Sequence, residues 1–191
     1  METILLAAGL SKRMGAQKLL LPFADSDVIS TVIKNIYNTG FTPIHAVVSK
    51  DIAAFIKPQD WLHVSVNPAP ERGQASSFAI GLFMLSKGSD FCVMLGDQPL
   101  AKADEICALA VKFSQMPADK TVLVPQRGEK LGHPMFYRAQ WKTRFAGSQG
   151  DGGDKKVLFS YEDEMYFTDA PDSFFCDLDT PADYQNILKA N

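Results

Sequence analysis

Ile4-Leu5-Leu6-Ala7-Ala8-Gly9-Leu10-Ser11-Lys12-Arg13-Met14-Gly15-Ala16-Gln17-Lys18 opens on an apolar run and ends in a small-residue turn holding two glycines, a serine and three cations. Buried strands read as apolar runs bounded by turn residues, so a strand is expected over 3–7. A strand feeding a glycine-bearing cationic loop is how α/β folds present backbone N–H groups and positive charge to phosphates. Read alone, the stretch also fits an ordinary strand-to-helix turn with solvated Lys and Arg. Two better-known loops are excluded. A Walker A loop needs four residues between its glycines and then Gly-Lys-Ser/Thr, whereas Gly9 and Gly15 have five residues between them and Lys18 follows later. The dinucleotide pattern Gly-x-Gly-x-x-Gly is absent too.

Outward from this stretch, strand-like and helix-like segments alternate. Strands are expected at 3–7, 44–48, 62–66, 91–95, 121–125, 133–137, 164–168 and 174–177. Helices are expected at 28–38, 73–86, 102–115, 138–146, 153–159 and 181–189. Ile29, Val32, Ile33 and Ile36 recur at i, i+3, i+4 and i+7, the stripe that lays a helix on a sheet. Phe78, Leu82 and Leu85 repeat the pattern. Such alternation implies βαβ units, hence a largely parallel sheet with helices on both faces. Ligands of these sheets bind outside the carboxyl ends of the strands.

The chain has 191 residues and is read as a single domain over 1–191. Its net charge of −3 argues against a general nucleic-acid binder. Cys92, Cys107 and Cys176 are widely spaced and lack metal-ligand spacing, as expected of reduced, mostly buried thiols. No apolar run approaches the roughly 20 residues that cross a bilayer, and no leader pattern opens the chain. No membrane association is expected, and the expected location is the cytoplasm.

Two strand ends carry carboxylates. Phe91-Cys92-Val93-Met94-Leu95 reads as a strand buried on both faces and runs into Gly96-Asp97-Gln98-Pro99. Asp97 suits Mg²⁺, which takes only one or two protein carboxylates beside phosphates and water; a turn aspartate bonding its own backbone fits equally. Phe174-Phe175-Cys176 precedes Asp177-Leu178-Asp179-Thr180-Pro181-Ala182-Asp183-Tyr184. Thr180, Pro181 and Asp183 make a helix start. Asp177 and Asp179, alternating on an extended segment, are expected to point the same way. Asn67-Pro68 with Gly73-Gln74-Ala75-Ser76-Ser77 offers either a nucleotide cradle or a plain serine-rich helix start. Gly132-His133-Pro134 and Gly150-Asp151-Gly152-Gly153-Asp154-Lys155 carry weaker signals of the same kind.

Together, in this order, these motifs resemble the molybdenum cofactor nucleotidyltransferases, most closely the cytidylyltransferases. The resemblance implies a three-layer α/β/α sandwich around a mostly parallel, Rossmann-like sheet of the nucleotide-diphospho-sugar transferase type. It implies that Leu6, Ala7, Ala8, Gly9, Ser11, Asn67, Gly73 and Ser77 lie along the nucleotide, with Arg13 and Lys18 on its phosphates. It assigns Asp97 to Mg²⁺ with Asp179, rather than Asp177, as second metal ligand. It gives His133, Asp151, Lys155 and Asp177 to the acceptor. The implied reaction moves CMP from CTP to the phosphate of molybdopterin, with a molybdenum hydroxylase as a downstream partner. Related guanylyltransferases carry Gly-Gly where this chain has Ala8-Gly9, and one more residue between the arginine and the lysine; CTP is therefore expected over GTP. Lys155 departs from the family's usual arginine and cannot reproduce its bidentate fork. Rival readings are a guanylyltransferase or other sugar- or alcohol-phosphate nucleotidyltransferase, a non-catalytic cofactor-delivery protein, and a glycosyltransferase. The last usually carries Asp-x-Asp where this chain has Gly96-Asp97-Gln98-Pro99.

Overall fold

The computed structural model describes residues 1–146 and 153–190. In chain order the elements are β1 (Glu2–Ala7), a two-strand hairpin of β2 (Pro22–Phe23) and β3 (Ser26–Asp27), α1 (Val28–Asn38), β4 (Ile44–Val48), α2 (Lys50–Ala53), β5 (Leu62–Val66) and α3 (Gln74–Met84). There follow β6 (Phe91–Leu95), α4 (Ala103–Ser114), β7 (Val122–Arg127), β8 (Lys130–Leu131), β9 (Met135–Tyr137), α5 (Trp141–Ala146), α6 (Gly153–Phe159), β10 (Met165–Thr168) and α7 (Pro181–Ala190).

The main sheet runs β10-β7-β9-β6-β1-β4-β5, with β8 paired to β7. The four strands β6, β1, β4 and β5 are mutually parallel. β9 runs antiparallel to both of its neighbours, β6 and β7, and β10 is parallel to β7. Side chains alternate across a strand, and β1 displays this directly. Leu5 and Ala7 join a core with Val32 and Ile36 of α1, Ile106 and Leu109 of α4 and Ile187 of α7. Ile4 and Leu6 face the other way, toward Phe78 and Leu82 of α3, Trp141 and Phe145 of α5 and Leu158 of α6. Two apolar layers on opposite faces of one mostly parallel sheet make the three-layer sandwich the sequence implies.

Most expected elements occur where the pattern put them, and four differences have physical causes. Residues 174–177 form no strand: Asp172–Phe175 is a 3₁₀ turn. There the Phe174 carbonyl accepts from the His133 N–H at 3.1 Å and from Gln98 Nε2 at 3.2 Å, so it has no place in a ladder. The helix expected from 138 starts only at Trp141, because Asp90 holds the Arg138 guanidinium at 2.9 Å and the Ala139 N–H at 2.8 Å. The β2–β3 hairpin and the single turn of α2 are too short to leave a periodic signal. Of the cysteines, Cys92 is buried, but Cys107 and Cys176 are only half-buried; all three are free thiols.

Candidate active site

The quoted loop is braced from within. Ser11 sits in the left-handed region at φ 49° and Gly15 at φ 68°, conformations that fold the chain back on itself. The Ser11 hydroxyl donates to Gln17 Oε1 at 2.9 Å and accepts from the Lys18 N–H at 3.2 Å. That hydroxyl is spent on holding the loop, so the surface Ser11 presents to a ligand is chiefly backbone. At the end of β6, the Gly96 N–H donates to Leu6 O at 2.9 Å. A Cβ on Gly96 would lie 2.9 Å from that of Ala7. Only glycine lets the ends of β1 and β6 come this close, and that approach sets Asp97 beside Lys18.

Lys18 is the centre of the cluster. Its Nζ donates to Asp97 Oδ2 at 2.5 Å and to Asp179 Oδ1 at 3.0 Å. Arg13 donates to Asp179 Oδ2 at 2.7 Å. The Lys18 and Asp97 side chains are 10% and 18% exposed, against 68% for Arg13, so the first pair works in a much drier setting than the second. Burial pushes the Asp97 carboxyl above the usual carboxylate range, Lys18 opposing this and the nearby Asp177 and Asp179 adding to it. For Lys18, burial works against the charge, but Asp97 and then Asp179 more than offset it and raise the ammonium's pKa. Asp179 is lowered: burial opposes ionisation, and Lys18 and Arg13 together outweigh it.

Asp177 and Asp179 both line one cavity with Lys130, but they take different partners. The chain beyond Phe175 is irregular, and buried Leu178 is tied by its N–H to Asp97 O at 3.0 Å while Asp179 meets Lys18 and Arg13. Asp177 instead accepts from Gln98 Nε2 at 2.8 Å and lies 3.7 Å from Lys130 Nζ. The Thr180–Asp183 start of α7 forms as expected. The Thr180 N–H donates to Asp183 Oδ2 at 2.7 Å, and the Asp183 N–H donates to Thr180 Oγ1 at 3.2 Å.

A cleft of about 340 Å³ opens beside the cluster; Leu6, Ala7, Ala8, Gly9, Ser11, Lys18, Gly73, Ser77 and Asp97 line it. Asn67 does not. It is buried behind the cleft, with Nδ2 donating to Ser76 and Ser77 at 2.8 and 2.9 Å and Oδ1 accepting from the Ala69 N–H at 2.9 Å. Its amide therefore orients the start of α3 and is not free to meet a base. Arg13 is not among the lining residues and joins the cluster only through Asp179.

A second cavity of about 700 Å³ shares Leu6, Gln74 and Leu95 with the first, so the two adjoin. Its walls are mainly apolar, from Phe78, Val93, Met135, Tyr137, Phe145 and Leu158, and its polar groups include His133, Asp177, Lys130 and Gln98. Asp151 and the side chain of Lys155 lie outside the described residues. Sequence reasoning missed Gln98 and Lys130. Gln98, buried beside Asp97, spends its Nε2 on Phe174 O and Asp177, leaving Oε1 buried without a hydrogen-bond partner. Its position next to Asp97 was the available signal, whereas nothing in the sequence marks Lys130.

Among the described residues no group of three or more His, Cys, Asp and Glu converges on one point, so no all-protein metal cage is present. A hard cation that completes its shell with phosphate and water needs only one or two carboxylates, and the Asp97–Asp179 pair fits it.

Residues 3–165 match the MobA-like NTP transferase domain family. The chain is similar to the purine catabolism protein PucB of Bacillus subtilis, 25% identical over 204 residues, covering 98% of this chain and 95% of PucB. Among solved structures it is similar to Rv0371c of Mycobacterium tuberculosis H37Rv, with 24% identity, TM-score 0.78 and coverage of 98% and 96% of the two chains. Rv0371c has also been solved in complex with manganese, matching at 21% identity and TM-score 0.72 over 100% and 98% of the chains. Another similar structure is a nucleotidyl transferase from Methanothermobacter thermautotroptrophicus, with 21% identity, TM-score 0.77 and coverage of 100% and 98%.

Proposed function

The chain belongs to the MobA-like NTP transferase domain family, and from that premise we propose that it transfers CMP from CTP to the phosphate of a molybdopterin-type acceptor, releasing pyrophosphate. The observation that carries this reading is the convergence of Lys18, Arg13, Asp97 and Asp179 in one charged cluster. Lys18 and Asp97 line the first cavity, which would take the donor, and the adjoining second cavity would take the acceptor.

The nucleophile needs little help. A phosphate monoester has a second pKa near ~6, so it is largely ionised at neutral pH and no general base is required. What the reaction demands is neutralisation of charge between two repelling anions and their alignment. Lys18 and Arg13 bind the triphosphate and stabilise charge on the departing pyrophosphate. Asp97 and Asp179 would hold Mg²⁺, which supplies Lewis-acid neutralisation of the phosphates when bound. The loop backbone from Ala8 to Ser11 orients the nucleotide. The Ala8 methyl, buried at the cleft wall, narrows the base site in favour of a pyrimidine. The apolar second cavity suits a fused-ring acceptor better than a polyol, with His133, Lys130 and Asp177 supplying polar contacts at its rim. Delivery of the product to a molybdenum hydroxylase follows from the same reading.

The test is incubation of the purified protein with each labelled nucleoside triphosphate, Mg²⁺ and molybdenum-loaded cofactor. Pyrophosphate release and a cytidylylated product are expected. A guanylylated product would move the donor to GTP, and turnover only with a sugar or alcohol phosphate would move the acceptor. Binding of the cofactor without turnover of any nucleotide would leave a delivery protein.

A further inference from the structure

Both oxygens of Asp179 already carry cationic donors, Lys18 on Oδ1 at 3.0 Å and Arg13 on Oδ2 at 2.7 Å. Asp97 Oδ2 carries Lys18 as well, at 2.5 Å. A divalent ion bridging these carboxylates therefore meets a fixed ammonium on the same oxygens. Like charges this close in a dry setting repel strongly, and one carboxylate oxygen cannot present the same lone pair to both. Lys18 is long and unbranched, and its ammonium has three donors that a triphosphate can satisfy as well as carboxylates can.

We infer that Lys18 is an internal stand-in for the metal: it bridges Asp97 and Asp179 until a nucleoside triphosphate draws its ammonium onto the phosphates, and only then does the carboxylate pair take a divalent cation without having to displace it. Metal and nucleotide then bind with strong mutual positive coupling, because each relieves the charge left by the other. Without nucleotide the protein takes metal weakly, and the carboxylates stay neutralised and the site ordered. Lys18 thus has two successive partners, and the exchange between them sets the order in which ligands are taken.

The test reads metal binding, not turnover. Mn²⁺ affinity is measured by electron paramagnetic resonance on the nucleotide-free full chain, for wild type, Lys18→Met and the double variant Lys18→Met/Asp97→Asn. Removing the ammonium is expected to tighten Mn²⁺ at least tenfold, and the double variant to lose that gain. An unchanged or weaker affinity in Lys18→Met overturns the inference, as does a gain that survives loss of Asp97. Should Lys18→Met fail to fold, wild-type protein labelled with ¹⁵N-lysine decides, the Lys18 peak being assigned from Lys18→Arg. The ammonium resonance is expected to move as Mg²⁺ saturates the nucleotide-free protein, and a fixed resonance at saturation overturns the inference. The inference rests on the phosphate role proposed for Lys18, whose failure has a separate signature: addition of CTP alone leaves the Lys18 resonance in place.

Discussion

Replacing Lys18 or Arg13 by alanine should slow turnover by very different amounts, although both cations touch Asp179. A unit charge about 4 Å from another contributes ~4 kcal/mol at the effective dielectric near a protein surface and ~1 kcal/mol in bulk water. Lys18 is 10% exposed and Arg13 68%, so Lys18 acts near the first limit and Arg13 near the second. Loss of a preorganised electrostatic donor in a dry site typically lowers kcat by about 10²–10³-fold, and this is the expectation for Lys18→Ala. A loss of ~1 kcal/mol is roughly fivefold, and Arg13→Ala should fall within a few-fold of that. Lys18→Arg should not rescue, because a planar fork cannot reproduce a point charge between two carboxylates. The assay is steady-state pyrophosphate release at saturating nucleotide, with circular dichroism melts to establish folding. Near-normal rates for Lys18→Ala would remove the phosphate role altogether. Equal losses in the two variants would refute the argument from exposure and mean that the 8–17 loop buries Arg13 over the bound phosphates.

Asp97→Ala should abolish turnover that depends on a divalent cation, and unchanged Mg²⁺ dependence would move the metal to other carboxylates. Gly132→Ala should destabilise the fold by about 1–3 kcal/mol, because its Cβ would lie 2.7 Å from both the Phe174 carbonyl and the Phe175 ring; a melt indistinguishable from wild type would show that the crossing chain gives way freely. Arg144 grips Glu164 through two hydrogen bonds of 2.8 Å, and Thr121 adds one of 2.6 Å. The Arg144 hydrogen bonds chiefly hold the Glu164 carboxyl below its ordinary value of 4.5. A lowered folded-state pKa means stability that is present above that ordinary value and lost as pH falls through the lowered one. Glu164→Gln should therefore cost about 1.5–3 kcal/mol in denaturant midpoints at pH 7, with the gap to wild type closing on acidification below 4.5; a pH-independent gap would exclude the ion pair as its source.

The parallel half of the sheet was readable because its strands are continuous apolar runs and its helices carry clean 3.6-residue stripes. The runs at 44–48, 62–66 and 91–95 and the helix at 28–38 occupy those spans in the structure. The reversal of β9 was not readable, since an apolar strand carries no mark of its direction. Phe174-Phe175-Cys176 misled for a related reason: its aromatic rings are buried as a strand's would be, but its backbone bonds sideways to His133 and Gln98. In the site, the loop cations and Asp97 were legible from their positions after strands. The separate partners of Asp177 and Asp179 were not, because spacing along an irregular backbone does not say which distant side chains each carboxylate meets. The bracing role of Asn67 was not legible either, because a polar residue after a strand reads the same whether its amide faces a cleft or braces a helix.

The cluster joins residues that are far apart in the chain: Arg13 and Lys18 near one end meet Asp179 near the other, and the Tyr184 hydroxyl reaches back to Pro22 O at 2.6 Å. Synthesis on the ribosome is vectorial, and the leading segments fold first. A nascent chain that has already formed β1, β4 and β6 owns Lys18 and Asp97 but not the carboxylate that finishes the constellation. The four-residue cluster is therefore complete only once the chain has been made through Asp179.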